Sequence, residues 1–371
     1  MMAPTEILAV QHYENARKTL EPLGIRCRLL TGSTRAKERK TILQELKECR
    51  CDAVFGTHAL ISRDVEYGKL GLVITDEQHR FGVNQRSTLQ MKGKTQHAYP
   101  HVLVMSATPI PRTLALILYG DLDLSVIDEM PKGRTPVKTR MVPEEKREDM
   151  YRFLREEVKK GKQAYIVCPL VDEDDDQHEL RSAKALYESL KEQELKGLTI
   201  GLTWGAQKPD EKDRVLHEFA AGVYNVLVST TVIEVGVNNP NATIMIIENA
   251  ERYGLSQLHQ LRGRVGRGTE ESWCFLFAEP SEKLRLFCST NDGFLIAQKD
   301  LELRGPGDLI GTRQSGEAAS NFLFTDIRLL DEVSQCVQNL HRNPVYREEL
   351  SVIEAQAVSF FTCEGHSVAL N

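Results

Sequence analysis

Two adjacent carboxylates stand at a position where chemistry is possible. Asp76 and Glu77 follow the apolar run LGLVIT at residues 70–75. At the exposed end of a parallel strand, Asp76 can hold Mg²⁺ through its water shell while Glu77 orients or deprotonates an attacking water. An isolated acidic pair more often only caps the following helix. The prediction of a metal and water site therefore depends on the motifs that follow.

Small hydroxyl residues end the next apolar run. Ser106 and Thr108 lie in the sequence MSATPIPRTL. Their hydroxyls could bond to the two carboxylates and transmit the state of that site to another part of the molecule. A plain turn before Pro109 is the alternative, and the motif alone does not decide between them.

Arginines spaced by glycines form a third candidate site. The segment QLRGRVGRG, residues 260–268, holds Arg262, Arg264 and Arg267. Arginine binds phosphate oxygens through two parallel hydrogen bonds, and glycine lets the backbone approach closely. Such arginines can stabilise charge on a γ-phosphoryl group that is being transferred. A basic loop that contacts a nucleic-acid backbone fits the segment equally well.

The first part of the chain alternates short apolar runs with amphipathic stretches. Runs at 53–57, 71–77 and 101–108 are rich in β-branched residues and predict buried parallel strands, and Arg35–Glu48 predicts a helix. Alternating strands and helices predict a doubly wound α/β domain. Its active edge is at the carboxyl ends of the strands.

A second α/β pattern follows a Pro- and Gly-containing segment at 131–142, which we interpret as a linker. Strands are predicted at 163–171, 198–204, 225–230, 242–249 and 272–277, with helices over Arg181–Lys196 and Asp210–Ala221. Beyond Pro280, helical stretches flank a Gly-rich segment at 303–316, and the tail from Asn321 is largely helical. The predicted domains are 1–130, 131–142 (linker), 143–280 and 281–371.

Composition excludes several classes of protein. The chain has 371 residues, 41% hydrophobic and 27% charged, as in ordinary globular domains, and it holds no apolar run long enough for a membrane span. The net charge of −6 does not suggest a nucleic-acid partner, so any DNA site would have to be a local basic patch. Eight scattered cysteines without a CxxC pair predict reduced thiols in a cytoplasmic protein and no zinc site.

The order of the motifs is more informative than any one of them. The series PTEILA, GTHAL, DEQH, SAT, TTVIEVGV and QLRGRVGR resembles that of superfamily 2 helicases and translocases. DEQHRFG, MSATPIPRTL and DLELRGPGDLIGTRQSG resemble one branch, the RecG family of bacterial ATP-dependent DNA helicases, over residues 2 to about 330. The neighbouring transcription-repair coupling factors usually read DEEQRFG or DEEHRFG. Gln78 and His79 therefore favour RecG.

The resemblance implies a fold and an activity. The fold would be two RecA-like doubly wound parallel-sheet lobes, the first incomplete, followed by a helical hairpin and a C-terminal helical region. The activity would be ATP- and Mg²⁺-dependent translocation on double-stranded DNA. Its partners would be branched DNA, namely stalled forks and Holliday junctions in recombination and repair. The protein would act as a monomer in the bacterial cytoplasm and would not bind a membrane.

The resemblance also implies roles for individual residues. Catalysis at Mg²⁺–ATP, with Asp76 as the metal ligand, would fall to Asp76, Glu77, Gln260, Arg264 and Arg267. The nucleotide would also contact Gly236, Asn238 and Gly263. DNA binding and its coupling to ATP would involve the first-half residues Pro4, Thr5, Glu6, Gly56, Thr57, His58, Ser106 and Thr108, and also Thr230 and Thr231. Translocation would use Arg304, Gly305, Gly311, Thr312, Arg313, Gln314 and Gly316.

The chain departs from the family pattern in three ways. The P-loop and the wedge domain, which lie upstream of PTEILA in the family, are not in this sequence. Gly93-Lys94-Thr95 is no substitute, because the P-loop glycine would fall at Thr88. Asn238 replaces the usual aspartate, and Thr203–Ala206 departs from the HGR-like spelling. We therefore expect the C-terminal part of a helicase that binds ATP poorly by itself, or alternatively a non-hydrolysing DNA-binding remnant.

Overall fold

The computed structural model describes residues 1–77, 92, 99–106, 123, 125–127, 129, 133–169, 176–230, 239–304 and 327–363. These residues form a mixed α/β structure with parallel sheets, as predicted. The chain divides into two compact units. One comprises Met1–Pro109 and Pro131–Ile296, and the other Ile110–Met130 and Ala297–Asn371.

The sheet of the first lobe consists of two parallel pairs. Strand β1 (Cys27–Leu30) pairs with β2 (Ala53–Gly56), and β3 (Leu72–Thr75) pairs with β4 (His101–Val104). Extended residues at the start of the chain join the pairs, since Met2 N–H donates to the Ile74 carbonyl at 2.7 Å and Ala3 N–H to the Gly56 carbonyl at 2.9 Å. The carboxyl ends of all these strands therefore lie along one edge.

Two helices accompany this sheet, α1 (Glu6–Leu20) and α2 (Ala36–Lys47). Helix α2 and strands β2, β3 and β4 confirm the predicted elements, but β4 is not buried as predicted, because His101 and Leu103 are exposed. Helix α1 and strand β1 were not predicted. The only fully buried residue of α1 is Ala9, so the helix has little apolar periodicity, and the apolar pattern of β1 is interrupted by Arg28.

The sheet of the second lobe has six described parallel strands in the order β5-β10-β9-β6-β8-β7. Their bounds are β5 Lys138–Met141, β6 Gln163–Val167, β7 Ile200–Thr203, β8 Val226–Ser229, β9 Ala242–Ile247 and β10 Trp273–Leu276. Strands β6, β8 and β9 are buried throughout, because apolar clusters cover both faces of the sheet. This arrangement confirms the predicted doubly wound lobe.

Helices cover this sheet on both faces. They are α3 (Arg147–Lys159), α4 (Asp176–Ser189), α5 (Pro209–Ala220) and α6 (Leu255–Arg262). A π-helical turn, Leu190–Glu194, continues α4 and ends near the predicted limit at Lys196.

The segment interpreted as a linker, 131–142, contains a strand, which corrects that interpretation for Lys138–Met141. Strand β5 pairs with β10 from Lys138↔Trp273 to Met141↔Leu276. As an edge strand it is exposed at Lys138 and Arg140 and carries no run of apolar residues. Strand β5 was not predicted because its sequence is polar, whereas buried strands are recognised by their apolar runs.

The C-terminal part of the described chain is helical, as predicted. Helix α7 (Glu282–Ser289) buries Leu284 and Phe287 in the core of the second sheet. It is followed by α8 (Gly293–Arg304), α9 (Ile327–Arg342) and α10 (Arg347–Cys363). The predicted domain boundaries remain predictions. Within the described ranges, no helix combines the length and apolar composition needed to cross a bilayer.

Candidate nucleotide and DNA site

The carboxyl edge of the first sheet brings several predicted site residues to one side. Thr5 follows the extended residues Met1–Ala3, Thr57 follows β2, Asp76 follows β3 and Ser106 follows β4. Ligand sites of open α/β sheets form at this edge. The sequence motifs of the first lobe therefore share an edge because the strands are parallel.

The acidic pair has a partner from a distant part of the chain. His12 Nε2, on α1, lies 2.8 Å from Asp76 Oδ2, and the amide of Glu77 donates to Asp76 Oδ1 at 2.9 Å. Glu77 has φ +51°, so the chain turns sharply after Asp76. Each carboxylate oxygen keeps a further lone pair, and the Asp76 side chain is 20% exposed. Asp76 therefore fits the water shell of a Mg²⁺ ion.

Residues predicted to contact DNA from the first lobe also hold the edge together. Thr5 caps α1, its Oγ1 accepting from the Leu8 amide at 3.4 Å. Glu6 Oε1 accepts from Thr31 Oγ1 at 2.8 Å and from the Ser33 hydroxyl. Pro4 is half-buried and His58 is exposed. Their backbone positions are thus fixed by the first turn of α1 and by the ends of β1 and β2.

Gly56 and Thr57 are both buried. A methyl group at Gly56 would overlap the Leu30 carbonyl of the neighbouring strand, so the close approach of β1 requires glycine. Thr57 is 5% exposed, and its hydroxyl has no hydrogen-bond partner among the described residues. Thr230, which follows β8 in the second lobe, is 1% exposed and its hydroxyl is equally unpartnered there.

The three arginines at and just after the end of α6 have different environments. Arg262 is 3% exposed and donates to the carbonyls of Phe287 at 3.0 Å and Thr290 at 2.8 Å. Its guanidinium also lies 4.2 Å from the centroid of the Phe287 ring. Arg262 therefore anchors α7 to α6 from a buried position, where Nη1 is already engaged by two carbonyls. The spacing of the residues alone did not separate it from the other two, whereas the family resemblance implied roles only for Arg264 and Arg267.

Arg264 and Arg267 remain as candidates for phosphate binding. Arg264 is half-buried, and Arg267 is exposed with its Nε donating to the Gly263 carbonyl at 3.3 Å. Burial raises the pKa of Tyr165, on β6, to about 12, and the positive charges of both arginines oppose that rise. Both guanidinium groups therefore lie near this tyrosine. Gln260, one turn earlier on α6, is half-buried.

Other predicted residues lie outside the described part of the chain. They are Thr108, Thr231, Gly236, Asn238, Thr312, Arg313, Gln314, the glycines 305, 311 and 316, and the Gly93-Lys94-Thr95 segment. Arg304 ends helix α8, and its side chain is likewise not described. Of the departing segment Thr203–Ala206, Thr203 ends β7 and donates to Gln207 Oε1 at 2.9 Å. Within the described ranges, no three His, Cys, Asp or Glu side chains are grouped as metal ligands.

Three family models match the chain. Residues 1–117 match the DEAD/DEAH box helicase model, and residues 145–269 match the helicase conserved C-terminal domain. Residues 290–351 match the model described as ATP-dependent DNA helicase RecG, domain 3, C-terminal. The order of these matches is the order of the motifs.

Curated relatives are similar over nearly the whole chain. The ATP-dependent DNA helicase RecG of Thermotoga maritima is 48% identical over 361 residues, covering 95% of this chain and 46% of the relative. RecG of Bacillus subtilis is 47% identical, covering 94% and 52%, and RecG of Escherichia coli K12 is 48% identical, covering 92% and 50%. The chain thus spans about half the length of the curated relatives it matches.

Solved structures agree with the relatives. A structure of RecG bound to a three-way DNA junction has 47% identity and a TM-score of 0.71, covering 89% of this chain and 43% of that one. The Mycobacterium smegmatis helicase Lhr, bound to single-stranded DNA and AMP-PNP, has 17% identity and a TM-score of 0.54, covering 81% and 42%. The second likeness concerns the fold alone.

Proposed function

The chain belongs to the RecG family, and from this premise we propose that it is the motor part of an ATP-dependent translocase of branched double-stranded DNA. The observation that carries the proposal is the match of 47–48% identity to RecG helicases across both lobes and the helical region. The RecG structure bound to a three-way junction supports branched DNA as the substrate class. Acting as a monomer is part of the same proposal.

The proposed nucleotide site uses side chains from both lobes. Bound Mg²⁺–ATP would supply the phosphoryl group and the metal charge. Asp76 would hold the metal's water shell, and Glu77 would orient or deprotonate the attacking water. Arg264 and Arg267, with Gln260, would stabilise charge on the γ-phosphoryl oxygens. Gly236, Asn238 and Gly263 would line the nucleotide.

The proposed DNA site follows the carboxyl edges of the sheets. Pro4–Glu6, Gly56–His58, Thr230 and Thr231 would present backbone amides and short side chains to phosphates. Ser106 and Thr108 would couple this surface to the acidic pair. Because phosphate contacts carry little sequence information, binding would show little sequence preference. The translocation segment, from Arg304 through Thr312, Arg313 and Gln314, would convert lobe movement into a step along the duplex.

A non-hydrolysing DNA-binding protein is a second candidate. It is favoured by a sequence observation, namely that these 371 residues contain no P-loop whose amides and lysine would cradle the β- and γ-phosphates. The preserved Asp76, Glu77, Arg264 and Arg267 favour hydrolysis instead.

DNA-stimulated ATP hydrolysis tests the proposal. We expect the 371-residue chain to show none above background, because the phosphate cradle is missing from it. Joining the N-terminal half of Thermotoga maritima RecG to Met1 supplies that cradle and should give hydrolysis that depends on branched DNA. We call this fusion the joined protein. If the joined protein binds branched DNA but hydrolyses no ATP, the non-hydrolysing alternative holds.

A further inference from the structure

The segment that leads into β5 lies along the loop that carries the two candidate arginines. Arg134 Nε donates to the Gly266 carbonyl at 3.0 Å, and Thr135 Oγ1 donates to the Thr269 carbonyl at 3.3 Å. Three residues later β5 begins its pairing with β10, where the Lys138 amide donates to the Ser272 carbonyl at 2.9 Å. The side chains of Arg134 and Thr135 therefore hold the loop by its backbone carbonyls, just before β5 begins.

The middle of the loop is shaped to meet this segment. Gly266 has φ +70°, a left-handed conformation that favours glycine, and a methyl group there would lie 2.7 Å from Val137 Cγ2. Gly266 is thus pressed against the residues that precede β5. Glycines at 263, 266 and 268 leave the loop backbone with many accessible conformations, so external contacts are needed to fix it.

Arg134 is the charged member of these contacts. It is half-buried, and its carbonyl partner lies between Arg264 and Arg267 in the sequence. A hydrogen bond from a charged donor is stronger than one between neutral groups. We propose that Arg134 is a positioning residue, which fixes the arginine loop so that Arg264 and Arg267 meet the phosphates. This inference rests on the proposed function, since it assigns a role within the same site.

Hydrogen exchange of the 371-residue chain tests the structural half of the inference. The amides of Arg264 and Val265 donate to the carbonyls of Leu261 at 3.0 Å and Arg262 at 3.3 Å, so they report on the loop. Arg134→Ala should speed their exchange at least ~10-fold, the effect of losing one charge-assisted hydrogen bond. Arg134→Lys, which keeps a charged donor, should restore part of the protection.

A matched control comes from the neighbouring strand. Arg140 lies on β5 with its guanidinium 5.3 Å from the centroid of the Trp273 ring. Arg140→Ala also removes an arginine and an aromatic contact from this region, but it should leave the exchange of the loop unchanged. Unchanged loop exchange in Arg134→Ala would overturn the inference. So would equal acceleration in both variants.

Kinetics of the joined protein test the functional half. Arg134→Ala should lower kcat at least ~10-fold while the KM for ATP changes less than ~2-fold, because the loop acts mainly on charge that develops in the transition state. Arg134→Lys should recover part of the loss. The triple variant Arg134→Ala/Arg264→Ala/Arg267→Ala should be no slower than the double variant Arg264→Ala/Arg267→Ala, since Arg134 acts through those two arginines.

The outcomes separate the two proposals. A slower triple variant would mean that Arg134 acts independently of the two loop arginines, and the inference would be wrong. A joined protein that hydrolyses no ATP at all would contradict the proposed function, and loop exchange in the 371-residue chain would then decide whether Arg134 fixes the loop.

Discussion

At the scale of single residues, three arginines in one short motif occupy two different environments. Arg262 is buried against Phe287 and Thr290, whereas Arg264 and Arg267 lie near Tyr165. We expect Arg267→Ala or Arg264→Ala to lower kcat of the joined protein on the order of 10³-fold with little change in DNA affinity. ATPase and DNA-binding titrations on the same preparation measure both. Equal losses in kcat and DNA affinity would instead indicate a DNA-backbone patch.

Arg262→Ala is the contrasting change. It leaves the Phe287 and Thr290 carbonyls without their donor, so it should lower the free energy of unfolding by about 1–3 kcal/mol. Urea unfolding of the 371-residue chain measures this. Arg267→Ala, at an exposed position, should change the stability much less.

His259 predicts a pH dependence of stability. Burial, with the nearby charges of Arg262 and Arg134, lowers the pKa of His259 to about 4 from its ordinary 6.5. The folded state therefore favours the neutral ring, whose Nδ1 accepts from Arg262 at 3.3 Å. This contribution is complete above pH 6.5 and is lost as pH falls towards 4.

Replacing the ring should remove that dependence. Between pH 7 and pH 5 the wild-type chain should lose about 1–2 kcal/mol more stability than His259→Asn. Urea unfolding at the two pH values measures the difference. An identical loss in both proteins would show that His259 does not titrate as its surroundings indicate.

At the scale of elements, the sequence predicted the strands that lie in apolar runs of several residues. Strands β6, β8 and β9 are continuous apolar runs, and so were found. Edge strand β5 and helix α1 were not predicted, because a polar edge strand and a weakly amphipathic helix leave no strong periodicity in the sequence. The carboxyl edge could be predicted with its motifs, because it follows from parallel strands.

Partners that come from far along the chain could not be predicted in this way. His12 meets Asp76 across 64 residues, and Arg134 meets Gly266 across 132. Neither residue belongs to a spaced motif with its partner, so only the folded chain brings them together. Tyr165, which lies near Arg264 and Arg267, looks in the sequence like one more apolar residue of a buried strand.

The role of the proposed translocation segment can be tested by substitution. If it couples lobe movement to DNA movement, Arg304→Ala or Gln314→Ala in the joined protein should leave ATP hydrolysis intact. Unwinding of branched DNA should fall at least ~10-fold, which corresponds to a coupling of about 1.4 kcal/mol. ATPase and fork unwinding are measured on one preparation. Unwinding at the wild-type rate in both variants would make the segment a linker.

At the scale of the whole molecule, the net charge of −6 constrains how the proposed DNA binding could arise. Attraction must come from a local surface, and counterion release from the DNA should dominate the affinity. We expect the affinity of the joined protein for a branched DNA to fall steeply between about 50 and 200 mM salt and to change little with sequence. Titrations of one junction in two sequences, over this salt range, test both statements.

Strand β5 has a consequence for solubility. A strand at the edge of a sheet offers unpaired amides and carbonyls to any other extended chain, and lysine or arginine on such an edge discourages that pairing. Lys138 and Arg140 stand at alternate, exposed positions of β5. The polar residues that made this strand hard to predict from the sequence should therefore also discourage aggregation of the folded protein. A Lys138→Val/Arg140→Val variant should self-associate at concentrations where the wild-type chain does not, as light scattering would reveal.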